Sequence, residues 1–367
     1  MDIERFDTVV IGAGQAGLSA GYHLRKTGRS FVIVDANARI GDTWRQRYDS
    51  LRLFTPARYI GLPGGRFPGK QTATPTKDEM ADYLASYAKR FSLPVLNGTF
   101  VDRLWKEDGR FVVSAGGRRF EADNVVVATG ANRLPRIPAF ADKLDPSIVQ
   151  LHSAAYRRPS QLQDGGVLLV GTGNSGADIS IEVARDHPTW LAGPDNPQVP
   201  FRIESFVARN VLMRVVRFVG VHVLTLRTPI GRKAARAQGA GGNIVVRVKR
   251  ADIAAAGIQR VGKVVGVRDG YPMLEDGRVL RVANVIWCTG FRQDVSWVDL
   301  PVFDESGEVA HDRGVVTAEP GLFFLGLPFQ YAAASDVLPG VGRDAAYLAK
   351  HLTRANARRV EVATAAA

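Results

Sequence analysis

Two glycine-rich loops, about 160 residues apart, are the parts of this chain whose residue types and spacing could do chemistry. The first, GAGQAG at residues 12–17, follows an apolar run at 8–11, and the second, GTGNSG at residues 171–176, follows one at 166–170. In such a loop the first glycine makes a tight turn, the second admits a pyrophosphate, and the third lets a helix pack on a strand. Free N–H groups at the helix N-terminus then bind the phosphates. Two loops predict two dinucleotides and favour hydride transfer between them.

Three more short features follow apolar runs and could contact the same ligands. Asp35 lies 23 residues after Gly12, where a carboxylate accepts hydrogen bonds from a ribose. Ala128-Thr129-Gly130 and Cys288-Thr289-Gly290 each end a strand-like run, where a small residue and a glycine let a cofactor approach the backbone. An ordinary strand-ending turn is the alternative interpretation of each Thr-Gly pair.

The elements that must position these residues follow from the apolar periodicity, which predicts two strand–loop–helix–strand units. Thr76 is the expected N-cap of a helix that has Asp78 and Glu79 in its first turn. In chain order, strands are expected at 8–11, 31–34, 101, 111–113, 124–128, 167–170, 189–191, 282–287 and 322–325, and helices at 15–27, 76–91, 175–185 and 343–355.

The composition is that of a globular protein, since 46% of the 367 residues are hydrophobic, and the chain is long enough for two cores. Its single cysteine, Cys288, excludes an intrachain disulfide and a C-x-x-C redox pair. The six histidines lack metal-ligand spacing, so no metal site is predicted. Because the first residues run into a strand without a basic and apolar leader, we expect a cytoplasmic protein.

The positive charge is concentrated between Ser205 and Arg250, a stretch with ten Arg and Lys residues and no Asp or Glu in a chain of net charge +12. This stretch is expected to attract an anionic substrate or the phosphates of a nicotinamide cofactor. Within it, residues 211–226 are apolar but too short and too charged to span a bilayer. We expect them to form a wall of the substrate cavity or part of the core, and a surface-lying amphipathic helix is the alternative.

These features together resemble the class B flavoprotein monooxygenases, which comprise flavin-containing, Baeyer–Villiger and plant indole-pyruvate monooxygenases. The sharpest match is GDTWR at residues 41–45 followed by YDSLRLFTP at 48–56, a segment that runs along the flavin and the pyrophosphate in the family. The resemblance covers most of the chain from Phe6 to about Leu352 and is weakest at about 201–261. The other matching residues are 12–17, Asp35, 128–130, 171–178 and 284–291.

The resemblance implies an α/β fold with two Rossmann-like dinucleotide-binding domains, the NAD(P)H domain being inserted in the FAD domain. The FAD domain would comprise residues 1–155 and 296–367, and the NAD(P)H domain residues 156–295 with the basic insertion at about 201–261. The implied reaction is reduction of FAD by NADPH or NADH, formation of a C4a-(hydro)peroxyflavin with O2, and transfer of one oxygen atom to a small organic substrate. The cofactor supplies this chemistry, so no catalytic side chain is assigned.

The motifs and the resemblance together indicate which residues bind the cofactors. The predicted cofactor-binding residues are Gly12, Gly14, Gln15, Ala16, Gly17, Asp35, Thr43, Trp44, Arg52, Thr55, Val101, Ala128, Thr129, Gly130, Gly171, Gly173, Asn174, Ser175, Gly176, Thr289, Gly290 and Gly326.

Three positions depart from the family pattern. Pro56 stands where flavin-containing monooxygenases carry an Asn beside the flavin, and the F-x-G-x-x-x-H fingerprint keeps only its final His152. Gly193-Pro194-Asp195 occupies the place of the basic residue that reads the NADP 2′-phosphate. Arg202 could fold back to replace that residue, so the choice between NADPH and NADH stays open.

Three kinds of protein are compatible with these residues. The first is an FAD- and NAD(P)H-dependent monooxygenase that uses O2 and a small-molecule substrate, and the match at 41–56 favours it. The second is a reductase that passes electrons through FAD to an acidic protein such as a ferredoxin, which the basic stretch would suit. The third is a non-enzymatic redox sensor that binds FAD and NAD(P). No nucleic-acid partner is expected, membrane association is disfavoured, and a homodimer is left open.

Overall fold

The computed structural model describes residues 3–130, 134–239 and 244–365. For residues 238–239 and 353–365 it describes the backbone alone. Within these ranges the strands are β1 (Ile3–Ile11), β2 (Phe31–Val34), β3 (Val95–Leu96), β4 (Arg103–Glu107), β5 (Arg110–Ala115), β6 (Arg118–Val127), β7 (Leu134–Pro135), β8 (Val149–His152), β9 (Val167–Val170), β10 (Thr189–Ala192), β11 (Gln259–Val261), β12 (Val264–Arg268), β13 (Tyr271–Leu274), β14 (Asn284–Trp287), β15 (Phe291–Arg292) and β16 (Leu322–Phe324).

Helices of the same ranges connect these strands. The α-helices are α1 (Gln15–Arg25), α2 (Asp42–Arg45), α3 (Lys77–Arg90), α4 (Asn174–Val183), α5 (Met213–Phe218), α6 (Pro229–Gly239), α7 (Arg250–Ala255) and α8 (Leu338–Ala365). Short 3₁₀ turns lie at Ala57–Tyr59, Ala139–Lys143 and Pro159–Gln161, and wide π turns flank α5 at Ala208–Leu212 and Val219–Val223. Measured against the length and hydropathy of a bilayer span, every helix in the described ranges falls short.

The first sheet has seven strands in the order β3-β2-β1-β6-β5-β4, with β16 beside the C-terminal half of β6. The strands β3, β2, β1, β6 and β16 are parallel, whereas β4, β5 and β6 form an antiparallel meander. Parallel strands that are buried on both faces read as continuous apolar runs, as 8–11 and 31–34 do. Because parallel strands end at one edge of a sheet, the loop at 12–17, Asp35 and residues 128–130 lie at the same edge.

The second sheet is formed by five parallel strands in the order β11-β10-β9-β14-β8. The second glycine-rich loop follows β9, and Cys288-Thr289-Gly290 follows β14, at the same carboxyl edge. The structure therefore has two parallel sheets with helical crossovers, which confirms the predicted α/β fold class with two Rossmann-like units.

The strands β7 and β15 form a short antiparallel pair. Along the chain, each of them lies between a strand of the first sheet and a strand of the second. Because β8 follows β7 and pairs with β14, β8 belongs to the second sheet. The sequence-based boundary after residue 155 places β8 in the FAD domain instead, because a short edge strand such as VQLH lacks an apolar run. We draw the proposed domain boundary before Val149.

Two other elements differ from the sequence-based expectation. Val101 is buried but lies two residues before β4 instead of in a strand. The last helix begins at Leu338, five residues before the predicted start, with Pro339 and Gly340 in its first turn. The helix can begin before Pro339, because a proline in the first turn of a helix removes only an N–H that has no partner there. The predicted N-cap of α3 is confirmed, since Thr76 and Glu79 form a reciprocal capping box.

Candidate cofactor-binding site

In the first loop, two of the three glycines are required by the protein's own packing. A Cβ on Gly12 would lie 2.5 Å from the Ala128 carbonyl oxygen, and the φ of Gly12 is +110°. A Cβ on Gly17 would lie 1.8 Å from the Gly12 carbonyl oxygen, where α1 packs on β1. A Cβ on Gly14 would have no atom of the described chain within 4 Å. The space beside Gly14 is therefore open, as a bound pyrophosphate requires.

Polar groups beside this open space lack partners. Gly14 is the N-cap of α1 without a side-chain cap, and the first turn of α1 has no acidic residue. Its first N–H groups are therefore available to an anion. The hydroxyl oxygen of Thr129, at the end of β6, is buried and has no hydrogen-bond partner in the described chain. The open space, the uncapped helix and the buried hydroxyl together fit the pyrophosphate of an FAD.

Asp35 holds the first loop in place. One of its carboxylate oxygens accepts a 2.6 Å hydrogen bond from the Ala13 N–H, and the other accepts from the main chain and the side chain of Asn37, both at 2.8 Å. The Asp35 carbonyl also accepts from the Thr99 N–H at 2.8 Å, which brings the segment that contains Val101 to the site. A carboxylate has further lone pairs, so its predicted contact with a ribose stays a prediction.

The segment at 41–56 lies across the carboxyl edge of the first sheet. Thr43 is exposed, and its hydroxyl lies 3.4 Å from the Asn37 amide that also binds Asp35. Trp44 is half-buried against the apolar core that contains α1 and α3. Arg52 is exposed and donates to the Thr74 carbonyl at 3.4 Å. The structure thus places Thr43 beside the first loop, whereas Trp44 and Arg52 have partners within the protein.

The same segment is bound to the second unit through two half-buried carboxylates of α4, Asp178 and Glu182. Asp178 accepts from the Tyr48 hydroxyl at 3.1 Å and forms an ion pair with Arg247 at 2.9 Å. Burial raises the pKa of Asp178, which Arg247 opposes. Glu182 accepts from the hydroxyls of Ser50 and Tyr156, at 3.0 and 3.2 Å. These contacts fix the orientation of the two units, and the sequence pattern did not reveal them.

The second loop repeats the geometry of the first. A Cβ on Gly171 would lie 2.2 Å from the Cys288 carbonyl oxygen, and one on Gly176 would lie 1.9 Å from the Gly171 carbonyl oxygen. A Cβ on Gly173 would again have no described atom within 4 Å, and α4 begins there without a side-chain cap. The second loop therefore also fits a pyrophosphate. The amide of Asn174, by contrast, is engaged by the chain, since it binds the main chain at Ile244 and Val246.

A cavity of about 320 Å³ adjoins the second loop and β10. Gly193 follows β10 as Asp35 follows β2, so no carboxylate stands at this position of the second unit. The cavity is lined by Arg250, which forms a 2.7 Å ion pair with Asp195, and by Arg260, which donates to the Gly193 carbonyl at 3.2 Å. With two arginines nearby and a glycine in the position that Asp35 has in the first unit, this cavity fits a ribose 2′-phosphate better than a ribose 2′-hydroxyl.

The sequence did not identify these two arginines, because they lie more than 50 residues beyond Gly193 and no motif links them to it. Arg202 does not line this cavity, and the expectation that it could fold back to this position stays a prediction. Its guanidinium forms an ion pair with Asp252 at 2.8 Å instead.

The strand end at 288–290 lies where the two units meet. The Thr289 hydroxyl donates to the Arg136 carbonyl, and the Gly290 carbonyl lies 3.0 Å from Nε2 of His152. Nδ1 of His152 accepts from the Ala154 N–H at 3.1 Å, so both ring nitrogens have partners within the protein. Burial lowers the pKa of His152, which favours the neutral ring. His152 therefore has a positioning role at this junction.

Cys288 is half-buried and packs against Gly171 and Gly176 of the second loop. Burial raises the pKa of its thiol to about 12, so the thiol stays protonated at neutral pH. A protonated, unpaired thiol is a poor nucleophile and a poor electron acceptor. The interpretation of Cys288 as an inert apolar residue agrees with this position.

The connection into α8 contacts the first loop and contains a group that the sequence did not identify. Gln15 donates to the Asp336 carbonyl at 2.9 Å, and a Cβ on Gly326, after β16, would lie 3.2 Å from the Ala16 Cβ. Burial raises the pKa of the Asp336 carboxyl to about 6. Asp336 thus combines a strongly raised pKa with a main-chain contact to the first loop.

The raised pKa of Asp336 predicts a pH-dependent stability. A carboxyl that holds its proton longer in the folded state contributes stability below about pH 4, and that stability is lost as the pH rises through about 6. The substitution Asp336→Asn should therefore increase the free energy of unfolding by roughly 1–3 kcal/mol at neutral pH and change it little near about pH 4. Denaturant unfolding of the holoprotein at the two pH values measures this difference. Asp276→Asn is the control, since its pKa is lowered by Arg278 and no gain is expected. An equal gain at both pH values would contradict the prediction.

Known proteins are similar to this chain in sequence and in structure. A family model described as pyridine nucleotide-disulphide oxidoreductase matches residues 9–189. A CzcO-like oxidoreductase of Geobacillus kaustophilus is 41% identical over 351 residues, which cover 93% of this chain and 97% of that protein. A flavin-containing monooxygenase of Stenotrophomonas maltophilia is 31% identical with a TM-score of 0.78, over 96% of this chain and 99% of that chain. The structure of OTEMO with FAD and NADP is 15% identical with a TM-score of 0.68, over 96% and 86% of the chains, and is similar in fold alone.

Proposed function

We propose, from the premise that this chain belongs to the class B flavoprotein monooxygenase family, that it transfers one oxygen atom of O2 to a small organic substrate and consumes NADPH. The chain is a flavin-dependent oxidoreductase, and its cofactors are FAD and a nicotinamide dinucleotide. The observation that carries the proposal is the pair of loops in which Gly14 and Gly173 alone face open space.

The residues that would hold the cofactors divide between the two loops. The N-terminus of α1, Gly14 and Thr129 would bind the pyrophosphate of FAD, and the N-terminus of α4 with Gly173 would bind that of NADPH. When bound, the flavin would supply the acceptor for hydride and the reactivity towards O2. The protein's own contribution is position, because both loops are fixed by main-chain contacts and the Tyr48–Asp178 hydrogen bond joins the segment at 41–56 to α4.

The competing functions fit the structure less well. A dithiol reductase needs a second cysteine, and Cys288 is the only one in the sequence. A reductase that docks an acidic protein needs free positive charge beside the cofactors. Of the arginines that lie there, Arg247 and Arg250 are paired with Asp178 and Asp195, and Arg260 is bound to main-chain carbonyls. A sensor without turnover does not account for two dinucleotide sites fixed against each other.

The cavity beside Gly193 predicts a preference for NADPH over NADH. In Arg250→Ala, the Asp195 carboxylate is left without its partner beside the position of the 2′-phosphate. Loss of one charged hydrogen bond, about 1.5–3 kcal/mol, should raise the KM for NADPH by roughly tenfold or more. The KM for NADH should stay unchanged or fall, because NADH has no 2′-phosphate. Steady-state kinetics with both cofactors measure this effect.

Asp195→Ala is the matched control for the same cavity. It frees Arg250 from its ion pair and should lower the KM for NADPH. An equal rise in the KM for NADPH and for NADH in Arg250→Ala would show that Arg250 stabilises the loop and does not bind the 2′-phosphate.

Isotopically labelled O2 tests the proposed reaction directly. The holoprotein is supplied with NADPH, labelled O2 and a panel of small amines, sulfides and ketones. We expect one labelled oxygen atom in the product for each NADPH oxidised with at least one substrate class. Stoichiometric hydrogen peroxide with every member of the panel would show an oxidase instead.

A further inference from the structure

The chain between Phe206 and Val223 is helical throughout and takes no part in either cofactor-binding site. It buries Ala208, Met213 and Val221 against the rest of the protein, and most of its other side chains are exposed. The sequence-based expectation was a wall of the substrate cavity or part of the core. The structure corrects this expectation, because most of the large apolar side chains of the segment face outward.

The inner side of this insertion is firmly attached. Three main-chain hydrogen bonds of 2.8, 2.9 and 3.2 Å join residues 220–226 to residues 331–334. The Arg58 guanidinium donates to the Asn210 side chain at 3.1 Å, and the Arg343 guanidinium donates to the Val221 carbonyl. The exposure of the outer side therefore belongs to a docked element with a defined orientation.

The outer side combines large apolar residues with positive charge, and we call it the insertion face. Phe206 is 82% exposed and Phe218 is 59% exposed. No Asp or Glu occurs from residue 205 to residue 250. The insertion face consists of the exposed residues Phe206, Val207, Val211, Arg214, Val215, Val216, Arg217 and Phe218 of the helical segment.

The charges of the insertion face are separate from those of the NADPH cavity. Arg250 lines that cavity, and Arg247 and Lys249 contact residues of the second unit. None of the residues that line the cavity belongs to the insertion face. The ten basic residues of the 205–250 stretch thus do not form one anion-binding patch, and the outer ones need a different ligand.

A second copy of the chain is a poor occupant of this face. In a two-fold dimer the same patch meets itself, so Arg214 and Arg217 would face their own counterparts with no acidic residue of the patch between them. A negatively charged lipid surface satisfies both properties at once. Phenylalanine and valine side chains enter the boundary of the acyl chains while arginines bind anionic headgroups.

We propose that the insertion face binds the surface of an anionic lipid bilayer and makes this protein a peripheral membrane protein. The binding is interfacial, since the helical segment is attached to the protein through Ala208, Met213 and Val221 and every helix in the described ranges is too short or too polar to span a bilayer. This inference does not depend on the proposed reaction, because it rests on residues outside both cofactor-binding sites.

Sedimentation of the holoprotein with vesicles tests the proposal. We expect binding to vesicles of phosphatidylcholine with phosphatidylglycerol, much weaker binding to phosphatidylcholine alone, and a decrease at high salt. Arg214→Glu/Arg217→Glu and Val215→Asp/Phe218→Asp should each lower the partition coefficient by about tenfold or more. NADPH oxidation without vesicles should be unchanged in both variants.

Matched variants elsewhere on the surface distinguish binding through the insertion face from an effect of net charge or of exposed apolar area in general. Lys70→Glu/Lys143→Glu makes the same change in net charge, and Val265→Asp changes a side chain that is 50% exposed outside the insertion face. Both control variants should bind vesicles as the wild type does. The proposal is overturned if the controls lose as much binding as the insertion-face variants, or if the wild type does not sediment with anionic vesicles. A lipid-free dimer that Val215→Asp/Phe218→Asp converts to monomer would assign the face to a second copy instead.

Discussion

Replacing Gly14 by valine will yield a folded protein that is colourless. The backbone of Gly14 has φ −76° and ψ −171°, an extended conformation that valine adopts readily, and its added Cβ meets no described atom. The side chain would instead occupy the open space in which we place the FAD pyrophosphate. Loss of two hydrogen bonds from N–H groups to a charged oxygen, roughly 3–6 kcal/mol in total, would weaken FAD binding by about two to four orders of magnitude. The visible absorbance of the purified variant, relative to its protein absorbance, measures the bound flavin.

Two controls complete the test of the first loop. Circular dichroism checks that the Gly14 variant is folded, and Gly12→Ala serves as the comparison variant. The Gly14 variant should keep the wild-type spectrum. A Cβ on Gly12 would instead collide with the Ala128 carbonyl in a backbone conformation that L-residues rarely adopt, so Gly12→Ala should lower stability as well. Full flavin occupancy in Gly14→Val would show that the first loop does not bind FAD.

Replacing Gly173 by valine will leave FAD bound and stop its reduction by NADPH. Gly173 has φ −72° and ψ −172°, almost the conformation of Gly14, and its added Cβ also meets no described atom. The two substitutions are therefore a matched pair, with the same chemistry at equivalent positions of separate sheets. The loss of pyrophosphate contacts should slow reduction at a fixed NADPH concentration by about two orders of magnitude or more. Anaerobic mixing with NADPH, followed by flavin bleaching, gives the rate.

Dithionite provides the control for this variant, because it reduces the flavin without the second loop. The flavin of Gly173→Val should bleach with dithionite as the wild type does. If the two valine variants lose flavin equally, the chain does not have two independent dinucleotide sites.

The features that the sequence predicted correctly are those fixed by local backbone requirements. Gly12 and Gly17 lie where a Cβ would overlap a carbonyl oxygen. Since only glycine fits at these two positions, the glycine spacing in the sequence predicts the turn. Residues 8–11 and 31–34 are buried on both faces, and their continuous apolar runs predicted parallel strands. The α/β class and both loop-bearing units followed from these two signals.

The features that the sequence missed depend on contacts between distant residues. Arg250 and Arg260 line the cavity beside Gly193 from more than 50 residues further along the chain, and Asn174 binds the main chain about 70 residues downstream. The contact of Tyr48 with Asp178 joins residues that are 130 positions apart in the chain, and no periodicity encodes it. The apolar run at 211–226 predicted burial, because hydrophobicity alone does not distinguish a core helix from one that faces outward.

The reaction of the reduced holoprotein with O2 tests the central claim most directly. The flavin is reduced anaerobically with one equivalent of NADPH and then mixed rapidly with oxygenated buffer while its absorbance spectrum is recorded. An oxygen-transferring flavoprotein should pass through a transient species whose spectrum differs from both reduced and oxidised flavin, and an oxygenated product should form when a substrate is present. Direct, single-phase return to oxidised flavin with one hydrogen peroxide per flavin, unchanged by every substrate tested, would contradict the account.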